Sequence, residues 1–124
     1  MQKRVFIVHG WDGYPEEGWF PWLKRELEAR GFQVEVPAMP DSAVPKLDRW
    51  VAHLANLVGT PDEHTFFAGH SMGCRAILRY LETLHPDAKV GGAVLVAGWI
   101  TLAPAAMQTP EEQEIVQQWL AAPH

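Results

Sequence analysis

Cysteine is almost absent from this 124-residue sequence, with Cys74 its single example. A lone thiol cannot close an internal disulfide, so the fold must rest on an apolar core, and the expected compartment is a reducing cytoplasm. Basic charge is scarce as well. Ten Lys and Arg stand against fifteen Asp and Glu, a formal net charge of -5, which leaves no positive field to hold phosphodiester backbone or an anionic bilayer. Neither nucleic acid nor membrane is an expected partner. No apolar run approaches the ~20 residues of a membrane span. The N-terminal run ends at His9-Gly10, too early for a signal peptide. The six histidines form no HExxH and the one cysteine no CxxC, so no metal site is read. A Walker lysine motif and a GxGxxG are also missing, and no cofactor is expected.

What is present suits one compact domain over residues 1–124, with 48% hydrophobic and 20% charged positions. Short apolar runs alternate with amphipathic segments, the signature of a parallel sheet layered between helices. The first strand, about Arg4 to Val8, and the third, about Thr65 to Ala68, are continuously apolar and should be central. Phe32 to Val36 alternates apolar and polar residues, as a half-exposed edge strand does. The fourth, Ala93 to Ala97, is apolar throughout.

Helical spacing links Phe20, Leu23 and Leu27 up to Gly31, then Leu47, Trp50, Val51, Leu54 and Val58 up to Gly59. A third stripe, Ile77, Tyr80, Leu81 and Leu84, stops at Pro86, with Arg79 and Glu82 outside. Thr109-Pro110-Glu111-Glu112 announces a last helix with Ile115, Val116, Trp119 and Leu120 on its apolar side. Pro37 to Pro45 reads as the one linker-like stretch. The fold class is α/β, a three-layer α/β/α arrangement around a parallel sheet of order 2-1-3-4.

The chemistry-bearing motif is Gly69-His70-Ser71-Met72-Gly73, a G-x-S-x-G between a strand and a helix, the context in which it means a nucleophile elbow. Such a corner turns too sharply for flanking side chains, which accounts for glycine at 69 and 73, and it lifts the Ser71 hydroxyl above the sheet. The helix N-terminus behind Ser71 favours developing negative charge, and the Met72 amide is the expected first oxyanion donor. His9-Gly10-Trp11-Asp12-Gly13 follows the first strand. In a 2-1-3-4 sheet both turns open onto the switch point beyond strands one and three. The Trp11 amide is thus the expected second donor. These are the parts of an acyl-transfer site.

Other candidates carry less. His70 should turn under the elbow and hydrogen-bond there, and His9 should be a buried histidine shaping its turn rather than a base. His64 and His85 belong at the opposite end of the sheet, His53 lies on the second helix as a surface or half-buried residue, and His124 is terminal. Cys74 reads as small buried packing. Trp11 and Trp99 are candidates to line an acyl pocket.

These residues are familiar together: the sequence resembles the α/β-hydrolase superfamily, and more closely the small serine hydrolases of the RBBP9/YdeN family. The resemblance spans nearly the whole chain. It rests on Val5 to Gly10, Trp19 to Leu27, Met39-Pro40 with Pro45 and Trp50, Gly69 to Leu81, and Gly91 to Gly98. It implies a serine hydrolase of small esters or amides, with Ser71 as nucleophile and the Met72 and Trp11 amides as oxyanion donors. The family's acid and base follow the serine on later strands, in the order acid, then His, and no such pair follows Ser71 here. The expectation is that the sheet continues in residues absent from this chain or in a second molecule. An alternative is a non-catalytic interaction domain, as a homodimer or with a partner, pairing through the strand 93–97 edge. An acyl-transfer enzyme is a third reading.

Overall fold

The computed structural model describes residues 2–96. Its elements run β1 (Arg4–Val8), α1 (Phe20–Ala29), β2 (Gln33–Glu35), α2 (Leu47–Val58), β3 (Thr65–His70), α3 (Met72–Glu82) and β4 (Gly92–Val96). The four strands form one parallel sheet of order β2-β1-β3-β4, as expected. The chain steps one way from β1 to β2 and the other way through β3 and β4. Right-handed crossovers therefore put α1 on one face and α2 and α3 on the other.

The side chains sort accordingly, because neighbours along a strand point to opposite faces. Val5, Ile7, Val34 and Ala68 pack with Phe20 of α1. Phe6, Val8 and Phe67 pack with Trp50 and Leu54 of α2 and with Ile77 and Tyr80 of α3. Trp50, Leu54, Ile7 and Ile77 are wholly buried, each side chain contributing about 1.5–3 kcal/mol of apolar transfer. These two clusters clamp β1 and β3 side by side over five paired positions, Arg4 with Thr65 through Val8 with Gly69. Their C-terminal ends thereby emerge together.

Three sequence expectations are corrected. The second strand is shorter than Phe32 to Val36, running from Gln33 to Glu35, because the Phe32 amide donates back to the Leu27 carbonyl of α1 at 3.1 Å and pairing with β1 begins only at Gln33. The third strand runs two residues further, to His70, since β4 continues to pair with it as far as Val96. The stretch from Pro37 to Pro45 is no linker. The Trp50 indole donates to the Pro40 carbonyl at 2.8 Å, and the Asp12 amide to the Ser42 carbonyl at 2.7 Å.

β4 is the outer strand among the described residues, and Val94 is 63% exposed. On the α1 face, Val94 and Val96 adjoin Phe66, Trp19 and Trp22 along an open apolar groove. No helix among the described residues is long and apolar enough to cross a membrane. Trp99, the predicted helix from Thr109 and the end of the fourth strand at Ala97 lie outside the described residues.

Candidate active site

The clamped strand ends place Ser71 between β3 and α3. Its backbone stands at φ 55°, ψ -119°, a region that costs a residue with a Cβ about 1–3 kcal/mol. Neighbouring contacts hold it there. The Ser71 amide donates to the Val96 carbonyl at 2.9 Å, and the Ser71 carbonyl accepts from the Cys74 amide at 3.0 Å. The side chain makes no capping hydrogen bond to its own helix. Ser71 is half-buried while Met72 behind it is buried.

The two flanking glycines answer to close approach. A Cβ on Gly73 would lie 2.3 Å from the Val8 carbonyl oxygen and 2.5 Å from that of His9. On Gly69 it would meet the Cys74 backbone at 3.0 Å and the end of Ile77 at 2.8 Å. The first turn of α3 thus sits directly on the end of β1, and no side chain fits between them.

The same contact brings the second turn to the serine. The Cβ position of Gly10 is 3.2 Å from Cβ of Ser71 and 3.6 Å from the Met72 nitrogen. From Gly10 the chain makes a tight turn, with Asp12 at φ 57° and the Gly13 amide donating to the Gly10 carbonyl at 3.0 Å. Among the described residues, the Trp11 and Met72 amides donate to no protein acceptor. The Met72 donor thus lies at the N-terminus of an 11-residue helix, where an anion is favoured, and the Trp11 donor belongs to the residue after Gly10.

His9 is buried, with both ring nitrogens engaged. Nε2 accepts from the Met39 amide at 2.9 Å, and Nδ1 lies 2.9 Å from the Gly10 carbonyl, which can only accept. The ring is therefore the neutral Nδ1–H tautomer. Its edge packs on Trp50 at 5.4 Å between centroids. Burial pushes its pKa below the ordinary 6.5, against opposing pulls from the Gly10 carbonyl and the Glu17 carboxylate. His70 differs from expectation in how it is seated. Its ring turns to the α1 side and packs edge-on against Trp19 and Phe20, at 6.0 and 6.1 Å, and among the described residues it makes no hydrogen bond. The Trp11 indole donates to the Ala43 carbonyl at 3.0 Å.

Burial raises the Cys74 thiol above its ordinary 9.0, and Sγ lies 3.5 Å from the Val96 carbonyl, so it is a protonated packing group at neutral pH. His64 and His85 sit before β3 and after α3, at the far end of the sheet from Ser71, beside Glu63 and Asp87. Sequence reasoning missed the burial of Arg75, which is 3% exposed inside α3; a single cation on a helix carries no signal of it. Among the described residues, no cluster of His, Cys, Asp and Glu is suited to a metal ion.

A parallel sheet with a positive-φ serine between its third strand and the following helix defines an α/β-hydrolase fold. The chain belongs to the serine hydrolase family, whose sequence profile matches residues 5–123. It is 39% identical over 111 residues to the putative hydrolase YdeN of Bacillus subtilis, covering 90% of this chain and 58% of that protein. It is 36% identical over 67 residues to the serine hydrolase RBBP9 of Rattus norvegicus, covering 53% of this chain and 36% of that one. The crystal structure of the B. subtilis ydeN gene product superposes with a TM-score of 0.82 at 38% identity, over 94% of this chain and 61% of that one. A pyrethroid hydrolase from Sphingobium faniae, at 21% identity and TM-score 0.62 over 89% of this chain and 46% of its own, shares the fold. The chain spans about three-fifths of the length of YdeN.

The contact at residue 73 makes a direct prediction. Gly73→Ala should force α3 off the end of β1 and destabilise the fold by about 3 kcal/mol, the upper end of an overpacking cost, read as a lower denaturation midpoint. An unchanged midpoint contradicts the close approach.

Proposed function

We propose that the protein is a cytoplasmic serine hydrolase of small esters or amides that works through Ser71. One observation carries this reading: Gly10 lies against Ser71 and the Met72 nitrogen, and among the described residues neither the Met72 amide nor that of Trp11, the residue after Gly10, donates to a protein acceptor, beside a serine held at positive φ. Ser71 Oγ attacks the substrate carbonyl carbon, and its proton passes to a base and then to the leaving alcohol or amine. The Trp11 and Met72 amides bind the oxyanion as the carbonyl oxygen gains charge, a preorganised interaction whose loss typically costs about 10²–10³ in rate. Water then releases the acyl group by the same route. Gly69 and Gly73 admit the corner, while His9 and His70 shape the turns from below. Trp11 serves as a wall of the acyl pocket.

The base is not met among the described histidines at this end of the sheet. Both nitrogens of His9 are engaged, and the His70 ring lies on the α1 side. We assign base and acid to the part of the relatives' length that this chain does not span. The test is reaction with a fluorophosphonate, followed by peptide mass spectrometry, on the longest natural polypeptide carrying this sequence. Labelling should fall on Ser71 and vanish in Ser71→Ala. Labelling that survives the substitution removes Ser71 from the mechanism.

A second reading rests on the exposure of Val94 in the outer strand. Unpaired strand groups flanked by apolar side chains form a pairing edge, so the 124-residue chain should associate with a second copy. Sedimentation velocity should show a mass that rises with concentration. A strict monomer at all concentrations contradicts edge pairing.

A further inference from the structure

The Trp11 amide does not take its direction from its own residue alone. It belongs to the peptide unit that contains the Gly10 carbonyl, and in a trans peptide the C=O and N–H point in opposite directions within one plane. Whatever fixes the Gly10 oxygen therefore aims the Trp11 N–H. Two donors hold that oxygen: the Gly13 amide at 3.0 Å and the His9 ring at 2.9 Å. The second of these depends on a proton at Nδ1. That proton is placed there because Nε2, on the other side of the ring, accepts from Met39 at 2.9 Å. The ring cannot swing away, since it is buried and braced by Trp50, whose own indole is tied to Pro40.

We infer that His9 is a positioning residue for catalysis, whose Nδ1–H, selected by the Met39 amide, orients the Gly10–Trp11 peptide so that the Trp11 N–H faces the oxygen attacked at Ser71. The inference rests on the serine reading above and adds to it a role for the Met39–Pro40 segment, which sets the tautomer from behind the ring. His9 moves no proton in the reaction. Protonation of the ring would set a second N–H against the Met39 amide and break the arrangement. Glu17 is the charged group that faces this side of the ring, its carboxylate oxygen being 2.7 Å from the Cβ position of Gly13, which itself lies 3.0 Å from His9 Nδ1.

Two substitutions separate orientation from mere support. In His9→Asn the side-chain amide occupies the Nδ1 position and can still donate to the Gly10 carbonyl. In His9→Gln it reaches the Nε2 position and can accept from Met39, but it leaves the Gly10 oxygen without its side-chain donor. If His9 orients the peptide, His9→Gln should slow phosphonylation of Ser71 at least tenfold, while His9→Asn stays within about threefold of the unsubstituted protein. Equal rates in all three proteins, or equal losses that follow the loss of folding stability, overturn the proposal.

The imidazole ¹H–¹⁵N spectrum gives an independent reading on the unsubstituted protein. A proton on Nδ1 and none on Nε2 is expected at neutral pH, and the reverse overturns the proposal whatever the labelling shows. Failure of the unsubstituted protein to label, with Nδ1 protonated and the Trp11 amide resonance shifted in His9→Gln but not in His9→Asn, would sink the serine reading and leave the orientation of the peptide standing.

Discussion

The first turn of α3 rests directly on the last carbonyls of β1, and the rest of the site depends on that contact. Val8 and His9 present their oxygens where any side chain at position 73 would stand. Two backbones at this distance bring the serine corner and the His-Gly turn into one small volume. Removing the contact would leave both motifs in the sequence with nothing between them to act on. The apolar clusters on the two faces of the sheet hold the strands in register behind it. Packing energy is in this way converted into the close approach of two turns.

The site also shows why a buried polar residue is kept in an otherwise apolar core. Burying an imidazole costs free energy unless both nitrogens find partners. His9 has them, one in the following turn and one in the segment after β2. With the Asp12–Ser42 and Trp11–Ala43 hydrogen bonds, the turn after β1 is fastened to residues 39–43 at three points. Thus the edge side of the sheet supports the turn from outside while α3 supports it from within.

Much of this was legible in the sequence for a simple reason: β1 is apolar from Val5 to Val8 and β3 from Phe66 to Ala68, and α2 and α3 carry strong helical stripes, so periodicity and crossover handedness fix the order of the strands. The serine corner was legible because glycine on both sides of a serine between strand and helix has a steric meaning. Partners distant along the chain were not legible. Met39 meets His9 across 30 residues, and nothing periodic marks a proline-rich stretch as pinned rather than loose. His70 was expected to find a hydrogen bond, but Trp19 and Phe20 arrive from α1 to give it an aromatic seat. Each of these departures is a side chain choosing a tertiary partner over its local pattern.

Membership of the serine hydrolase family and the likeness to YdeN agree with the proposed chemistry; the geometry of residues 9–13 and 69–73 gives that proposal its local form. The central claim is that these two turns together bind an oxyanion. It is tested most directly by a crystal structure of the protein covalently modified at Ser71 by a phosphonate, whose tetrahedral oxygen mimics that anion. The account predicts that oxygen at about 2.7–3.1 Å from both the Trp11 and Met72 nitrogens. An adduct whose oxygen points to solvent, or touches neither amide, would contradict it.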